Sequence, residues 1–162
     1  MLLSAPEPAY GAGKWNRSHM IKILLVEDSK FLRMATERAL ARAGYEVLTA
    51  ADGQSALAVA EKQKPDLILL DMLLPKITGP DVLKTLKRNP ATAQIAVVVL
   101  SGLSPKNAAR LQQDGAFAFL DKSELSLDKG PETFLKVLSG IVRKLGFEVP
   151  HGARALETGV GS

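Results

Sequence analysis

The residues with the most chemistry in them stand at the ends of short apolar runs. Glu27 and Asp28 follow Ile21 to Val26, Asp71 follows Leu67 to Leu70, Ser101 follows Ile95 to Leu100, and Lys122 comes just after Ala116 to Leu120. A short apolar run bounded by turn residues reads as a strand buried on both faces. A carboxylate beside such a run is costly to bury without a partner. Asp71 is therefore expected at the carboxyl edge of its strand, facing an open crevice, which is where open α/β sheets bind ligands. Taken alone, Asp71 has a plainer reading as a strand-ending turn residue. In a parallel sheet, however, all carboxyl ends share one edge, and these residues then meet. Three carboxylates packed together repel and need a cation. Oxygen ligands, with no His or Cys among them, favour a hard divalent ion such as Mg²⁺. Ser101 adds a hydroxyl and Lys122 a movable positive charge. The set suits a phosphoryl group carried on a carboxylate, with metal and lysine neutralising developing charge and the hydroxyl bonding a phosphoryl oxygen. Aspartate can be the covalent nucleophile in such a transfer.

The elements that must position these residues alternate strand and helix five times. After the first strand, Asp28 or Ser29 caps a helix to about Ala43, with Leu32, Ala35, Ala39, Leu40 and Ala43 on one stripe. Gly44 suits its C-terminal end. Tyr45 to Ala50 reads as a second strand. A helix from Asp52-Gly53 to about Lys62 turns Ala56, Leu57 and Ala60 inward, and Pro65 stops it. Beyond Asp71, Pro75 and Gly79 shape a loop, and Pro80 opens a helix carrying Val82, Leu83 and Leu86. Ser104-Pro105 starts the next helix, which ends near Asp114-Gly115. Gly130-Pro131 opens the last one, with Phe134, Leu135, Leu138, Ile141, Val142 and Leu145 as its apolar positions. Such alternation implies a parallel sheet covered by helices on both faces, joined by right-handed crossovers.

Composition narrows the classes. The 162 residues fit one domain plus tails. There is no cysteine, which excludes disulfides and thiolate metal sites. This fits a reducing compartment, and no apolar run is long enough to span a membrane. The expected location is the cytoplasm. The net charge of +4 is modest and its basic residues are scattered, so they read as solvated helix faces and not as a nucleic-acid patch. Residues 1–19 are read as disordered, and His19-Met20 looks like a cloning junction, so part of that segment is treated as vector-derived. Residues 20–146 form the expected domain. Residues 147–162, polar and Gly-rich, are expected to be a flexible tail.

With these residues in view, LVEDS, LLDMLLPKITG, VVVLSG and FAFLDK resemble the receiver domain of two-component response regulators, of the chemotaxis-regulator type. The resemblance covers about residues 20 to 146 and joins four motifs in order. It implies a flavodoxin-like, doubly wound five-stranded sheet of order 2-1-3-4-5. It implies Asp71 as phosphoacceptor, and Glu27 and Asp28 as the acidic pair, Asp28 binding Mg²⁺ directly and Glu27 through water. The Leu73 carbonyl would complete the metal shell, Ser101 would be the switch hydroxyl, Lys122 the lysine of the site, and Phe119 the switch aromatic. The partners implied are a histidine kinase or phosphotransfer protein and a downstream protein target, with no direct contact to nucleic acid or membrane. The family also offers a homodimer through the last two helices and last strand. The protein is expected to signal and not to act as an enzyme on a diffusible substrate. No DNA-binding output domain fits in the remaining residues.

Two features depart from the family. Ser123 follows Lys122 where the family usually has a proline in a cis bond. A cis bond to a non-proline residue costs about 2.5–4 kcal/mol, so trans is expected here. The segment from Ser123 to Gly130 also looks long. Two other functions compete. A hydrolase of the haloacid-dehalogenase type wants a second Asp two residues past the nucleophile, and that position is Leu73. A receiver that binds partners without phosphorylation would have lost an acidic residue or the lysine, and neither is lost. Finally, the resemblance implies that the side chains two residues past the acceptor and two past the switch hydroxyl flank the approach of hydrolytic water; here these are Leu73 and Leu103, neither of which can orient it, so a long-lived phosphorylated state is expected.

Overall fold

The computed structural model describes residues 20–102, 105–125 and 130–157. Residues 1–19, Leu103, the Ser104 cap, part of the segment after Ser123 and the end of the expected tail lie outside the described residues. Within them the chain forms β1 (Lys22–Val26), α1 (Lys30–Arg42), β2 (Glu46–Ala50), α2 (Gly53–Gln63), β3 (Leu67–Asp71), α3 (Gly79–Arg88), β4 (Ala96–Ser101), α4 (Pro105–Gln113), β5 (Ala118–Asp121), a 3-10 turn (Lys122–Leu125), α5 (Glu132–Lys144) and α6 (His151–Glu157). All strand pairs are parallel, in the order β2-β1-β3-β4-β5. This is the doubly wound sheet the alternation implies.

Strand periodicity divides the core in two. Ile23 and Leu25 of β1, Leu67 and Leu69 of β3, and Val98 and Leu100 of β4 pack under α1 and α5. Their neighbours Leu24, Val26, Ile68, Leu70, Val97 and Val99 pack under α2, α3 and α4. Alternate side chains point to opposite faces, and helices cover both, so nearly every residue of these strands is apolar. At the edge where strands begin, Asp66 ties β3 to β1. Its carboxylate accepts the Lys22 N–H at 2.8 Å, and its own N–H donates to the Lys22 carbonyl at 2.8 Å.

The helix stripes follow their periodicity. Val82, Leu83 and Leu86 of α3, and all six expected positions of α5, are buried. In α1 the stripe is narrower: Leu40, Ala43 and Thr36 are buried, while Leu32, Ala35 and Ala39 are half-buried. Ser29 is the cap, accepting the Leu32 N–H at 3.3 Å. Gly44 stands just past α1 at φ +103, the left-handed region that glycine adopts freely.

The expected flexible tail contains a helix. Gly146, at φ +89, ends α5 and turns the chain back. Val149 and Ala153 are then buried against the same core as α5, with Phe147 half-buried beside them. Small residues make the seat. A Cβ on Gly44 would come within 2.7 Å of the Pro150 side chain, and one on Gly152 within 2.8 Å of the Arg42 carbonyl oxygen. The polar composition of this stretch conceals its few apolar anchors, which are too sparse to show a period. Removing residues 147–162 is expected to cost roughly 2–4 kcal/mol through lost burial, measurable by urea unfolding. Among the described residues no helix is long and apolar enough to cross a membrane.

Candidate functional site

The sheet topology brings the ends of β1, β3, β4 and β5 to one edge. There one carboxylate oxygen from each of Glu27, Asp28 and Asp71 lies within 4.8 Å of the other two. Glu27 and Asp71 are each 1% exposed, whereas Asp28 is open to solvent. Lys122, just past β5, reaches across β4 to both buried carboxylates. Its Nζ is 2.8 Å from Asp71 Oδ2 and 3.1 Å from Glu27 Oε1. One ammonium therefore faces two buried carboxylates and a third close by.

That compensation is incomplete. Glu27 Oε1 is fully buried, and the charge it faces is the Lys122 ammonium, which it shares with Asp71. Burial pushes the Glu27 carboxyl up to about 7, although the Ser29 N–H and Lys122 pull it the other way. Burial alone would lower the Lys122 ammonium, but its hydrogen bond to Asp71 and the charges of both carboxylates outweigh this and hold it above the usual lysine range. Two buried carboxylates sharing one ammonium, with a third carboxylate beside them, are a donor set suited to a hard divalent cation.

The ends of β1, β3 and β5 share a device. In each, a carboxylate accepts the backbone N–H two residues ahead. Glu27 Oε2 accepts from Ser29 at 3.2 Å, Asp71 Oδ1 from Leu73 at 3.1 Å, and Asp121 Oδ1 from Ser123 at 2.9 Å. Such turns use a side chain where the ladder has run out of partners. The β1 end has a second brace: the Arg33 guanidinium donates to the Glu27 carbonyl at 2.8 Å and the Asp28 carbonyl at 3.4 Å.

The loop after Asp71 is pinned by Gly79. Its N–H donates to the Met72 carbonyl at 3.3 Å. A Cβ there would fall 2.5 Å from Met72 Cα and 2.7 Å from the Asp71 carbonyl oxygen, both backbone atoms that cannot yield cheaply. Thr78 caps α3, accepting the Asp81 N–H at 3.3 Å. Gly79→Ala should therefore shift the Asp71 strand end and destabilise the fold, by about 1–3 kcal/mol for an overpacked position. A thermal melt checks the loss, and the Asp71 and Leu73 amide resonances check where it acts.

The remaining predicted residues are placed as follows. Ser101 ends β4, half-buried, one residue past the register partner of Asp71. Phe119 pairs with Val99 and is half-buried against the core under α2, α3 and α4. Leu73 is 70% exposed beside Asp71. The Lys122–Ser123 bond is trans, as no described residue has a cis bond. The strand β5 starts later and ends later than the apolar run, so that Asp121 is its last residue. Gly79 was expected to shape the loop but not to be crowded by the Asp71–Met72 backbone, and Arg33 and Asp121 were not expected from the sequence. Asp121 alone had a local signal, an Asp two residues before a Ser at a strand end.

Comparison with known proteins agrees with this geometry. The family model described as the response regulator receiver domain matches residues 23–129. A gliding motility regulatory protein of Myxococcus xanthus is 42% identical over 110 residues, which are 67% of this chain and 14% of that protein. The chain thus spans a small part of that relative. The chemotaxis protein CheY4 of Vibrio cholerae superposes with a TM-score of 0.68 at 35% identity, covering 76% of this chain and 99% of that one. The receiver domain of the sensor histidine kinase PA1611 of Pseudomonas aeruginosa, solved with a magnesium ion coordinated in its active site cleft, gives 0.65 at 25% identity over 79% of this chain and 99% of that one. Fold, strand-end chemistry and likeness converge: this chain belongs to the response regulator receiver domain family of two-component signalling.

Proposed function

We propose that the chain is a cytoplasmic phosphoacceptor, taking a phosphoryl group from a histidine kinase or phosphotransfer protein onto Asp71 and passing the change to a downstream protein. The observation that carries this reading is the closeness of Glu27, Asp28 and Asp71 with the Lys122 ammonium 2.8 Å from Asp71. In the transfer an Asp71 carboxylate oxygen attacks the phosphorus of a phosphohistidine. The P–N bond breaks as the P–O bond forms, and the leaving imidazole takes up a proton. Asp28, Asp71 and the Leu73 carbonyl would hold Mg²⁺, with Glu27 acting through water. When bound, that ion neutralises charge on the phosphoryl oxygens. Lys122 exchanges its contact with free Asp71 for one with the phosphoryl group, and Ser101 donates its hydroxyl to a phosphoryl oxygen. Phe119 then repacks, altering the face of α4, β5 and α5. Such a change needs two discrete arrangements that the phosphoryl group binds unequally.

The test is incubation with acetyl phosphate and Mg²⁺ followed by intact-mass measurement. Gain of one phosphoryl mass, dependent on Mg²⁺, is expected; an unchanged mass overturns the reading. The same preparation tests the lifetime. Leu73 stands exposed beside Asp71 and can neither bond nor orient a water, so spontaneous loss should be slow. Leu73→Asn should shorten the lifetime by roughly tenfold, as a positioned polar group assists in-line attack. A time course of phosphoryl loss that is equal in both proteins overturns this account of the lifetime.

A further inference from the structure

We propose that Asp121 is a positioning residue for Lys122, its carboxylate folding the turn that aims the ammonium at Asp71 and Glu27. The chain leaves the sheet at Asp121, the last residue of β5, and Lys122 opens the 3-10 turn at once. Its bond to Ser123 is trans, so nothing in that peptide reverses the chain. The Asp121 Oδ1 accepts the Ser123 N–H at 2.9 Å and closes a ring around the Lys122 backbone. The opening N–H groups of a helical turn have no partner within it, and this contact supplies one. Lys122 is the enclosed residue, so the direction of its Cα–Cβ bond is set by the ring. That direction matters because the side chain must cross from β5, past β4, to reach β3 and β1, where its Nζ meets carboxylates at 2.8 Å and 3.1 Å.

The other two strand ends do the same work with carboxylates of the acidic cluster itself, Glu27 and Asp71. Asp121 differs. Its carboxylate is exposed, lies outside the three-residue cluster, and has Lys122 and not a metal-binding group as its immediate beneficiary. The contact with the Ser123 N–H requires an oxygen acceptor at this atom, which an amide supplies as well as a carboxylate. Asparagine should therefore replace it, and alanine should not.

The proposal rests on Lys122 acting in the phosphoryl transfer described above, and two readouts separate the one from the other. The first needs no phosphoryl chemistry. The full chain, without Mg²⁺ or donor, is treated with a limiting amine-acylating ester, and acylation of Lys122 is followed by peptide mass spectrometry. An ammonium held between carboxylates reacts slowly. Asp121→Ala should raise the Lys122 rate roughly tenfold while other lysines keep theirs, and Asp121→Asn should stay within about twofold of the natural chain, since a misplaced group loses most of its oriented contact. The second is the rate of phosphorylation by acetyl phosphate at saturating Mg²⁺. It should fall roughly ten- to hundredfold in Asp121→Ala and recover in Asp121→Asn. Melting curves confirm that each variant is folded. Equal Lys122 acylation in the natural chain and Asp121→Ala overturns the proposal, and so does an Asp121→Asn that behaves as Asp121→Ala. If the natural chain takes up no phosphoryl group at all, the functional reading fails, while the acylation arm still decides the positioning.

Discussion

Asp71→Asn is expected to gain no phosphoryl mass from acetyl phosphate and Mg²⁺ under conditions that fully label the natural chain. The substitution keeps the shape of the side chain and an oxygen able to accept the Leu73 N–H, which now reaches Oδ1 at 3.1 Å. It removes the anionic oxygen that would attack phosphorus, and an amide oxygen is a far poorer nucleophile. Glu27 is buried and paired with Lys122, and Asp28 stands on the neighbouring strand's exit, so neither is placed as a substitute. The fold should not suffer. Asp71 and Glu27 are like charges buried side by side, and Asp71 is one of the groups that raise the Glu27 carboxyl. Removing one of two repelling buried charges is expected to leave stability at neutral pH unchanged or higher. Urea unfolding checks that half of the prediction. Undiminished labelling of the variant would give the acceptor role to another carboxylate.

The second large effect is on the metal. Asp28→Ala should weaken Mg²⁺ binding by at least the 10- to 100-fold that loss of a mere supporting partner costs, taken as about the lower limit for a ligand. Asp28 is the solvent-facing member of the cluster, so its removal leaves no cavity, and the helix cap belongs to Ser29. The effect should thus appear in affinity and not in folding. Fluorescence is the wrong readout. The only tryptophan is Trp15, outside the described residues, and Met72 follows the acceptor. Calorimetry reads the heat directly, and equal affinity in both proteins would remove Asp28 from the metal site.

Much of this was legible in the sequence for a physical reason. A strand buried on both faces has to be apolar throughout, so a charge can appear only where the strand ends. That marks Glu27, Asp28 and Asp71 as strand-end residues before any coordinates exist. The stripes of α3 and α5 were equally plain, since their apolar residues recur at helical spacing without interruption. What stayed hidden depends on chain reversal and close approach. Arg33 braces the Glu27–Asp28 backbone through carbonyls, and no side-chain pattern records which carbonyl a guanidinium will find. Gly79 matters because two backbone atoms crowd it, which only the folded loop defines. Thr36 is buried in α1 though its type reads as polar, and Leu32 is less buried than its spacing implied. The segment after Gly146 holds few apolar residues, and its helix owes its place to the small surfaces of Gly44, Gly152 and Ala153.

That same helix decides how the molecule can be handled. Helix α6 lies against the end of α1, at the edge of the sheet where strands begin, while the acidic cluster occupies the edge where they finish. A five-residue strand, roughly 17 Å long, separates the two. The chain carries no cysteine, and His151 at the start of α6 is exposed. A His151→Cys variant therefore offers one thiol on the far side of the sheet. A dye or surface linker fixed there leaves the crevice unobstructed and presents it outward, so an immobilised layer of the protein would have its acidic pockets oriented toward solution.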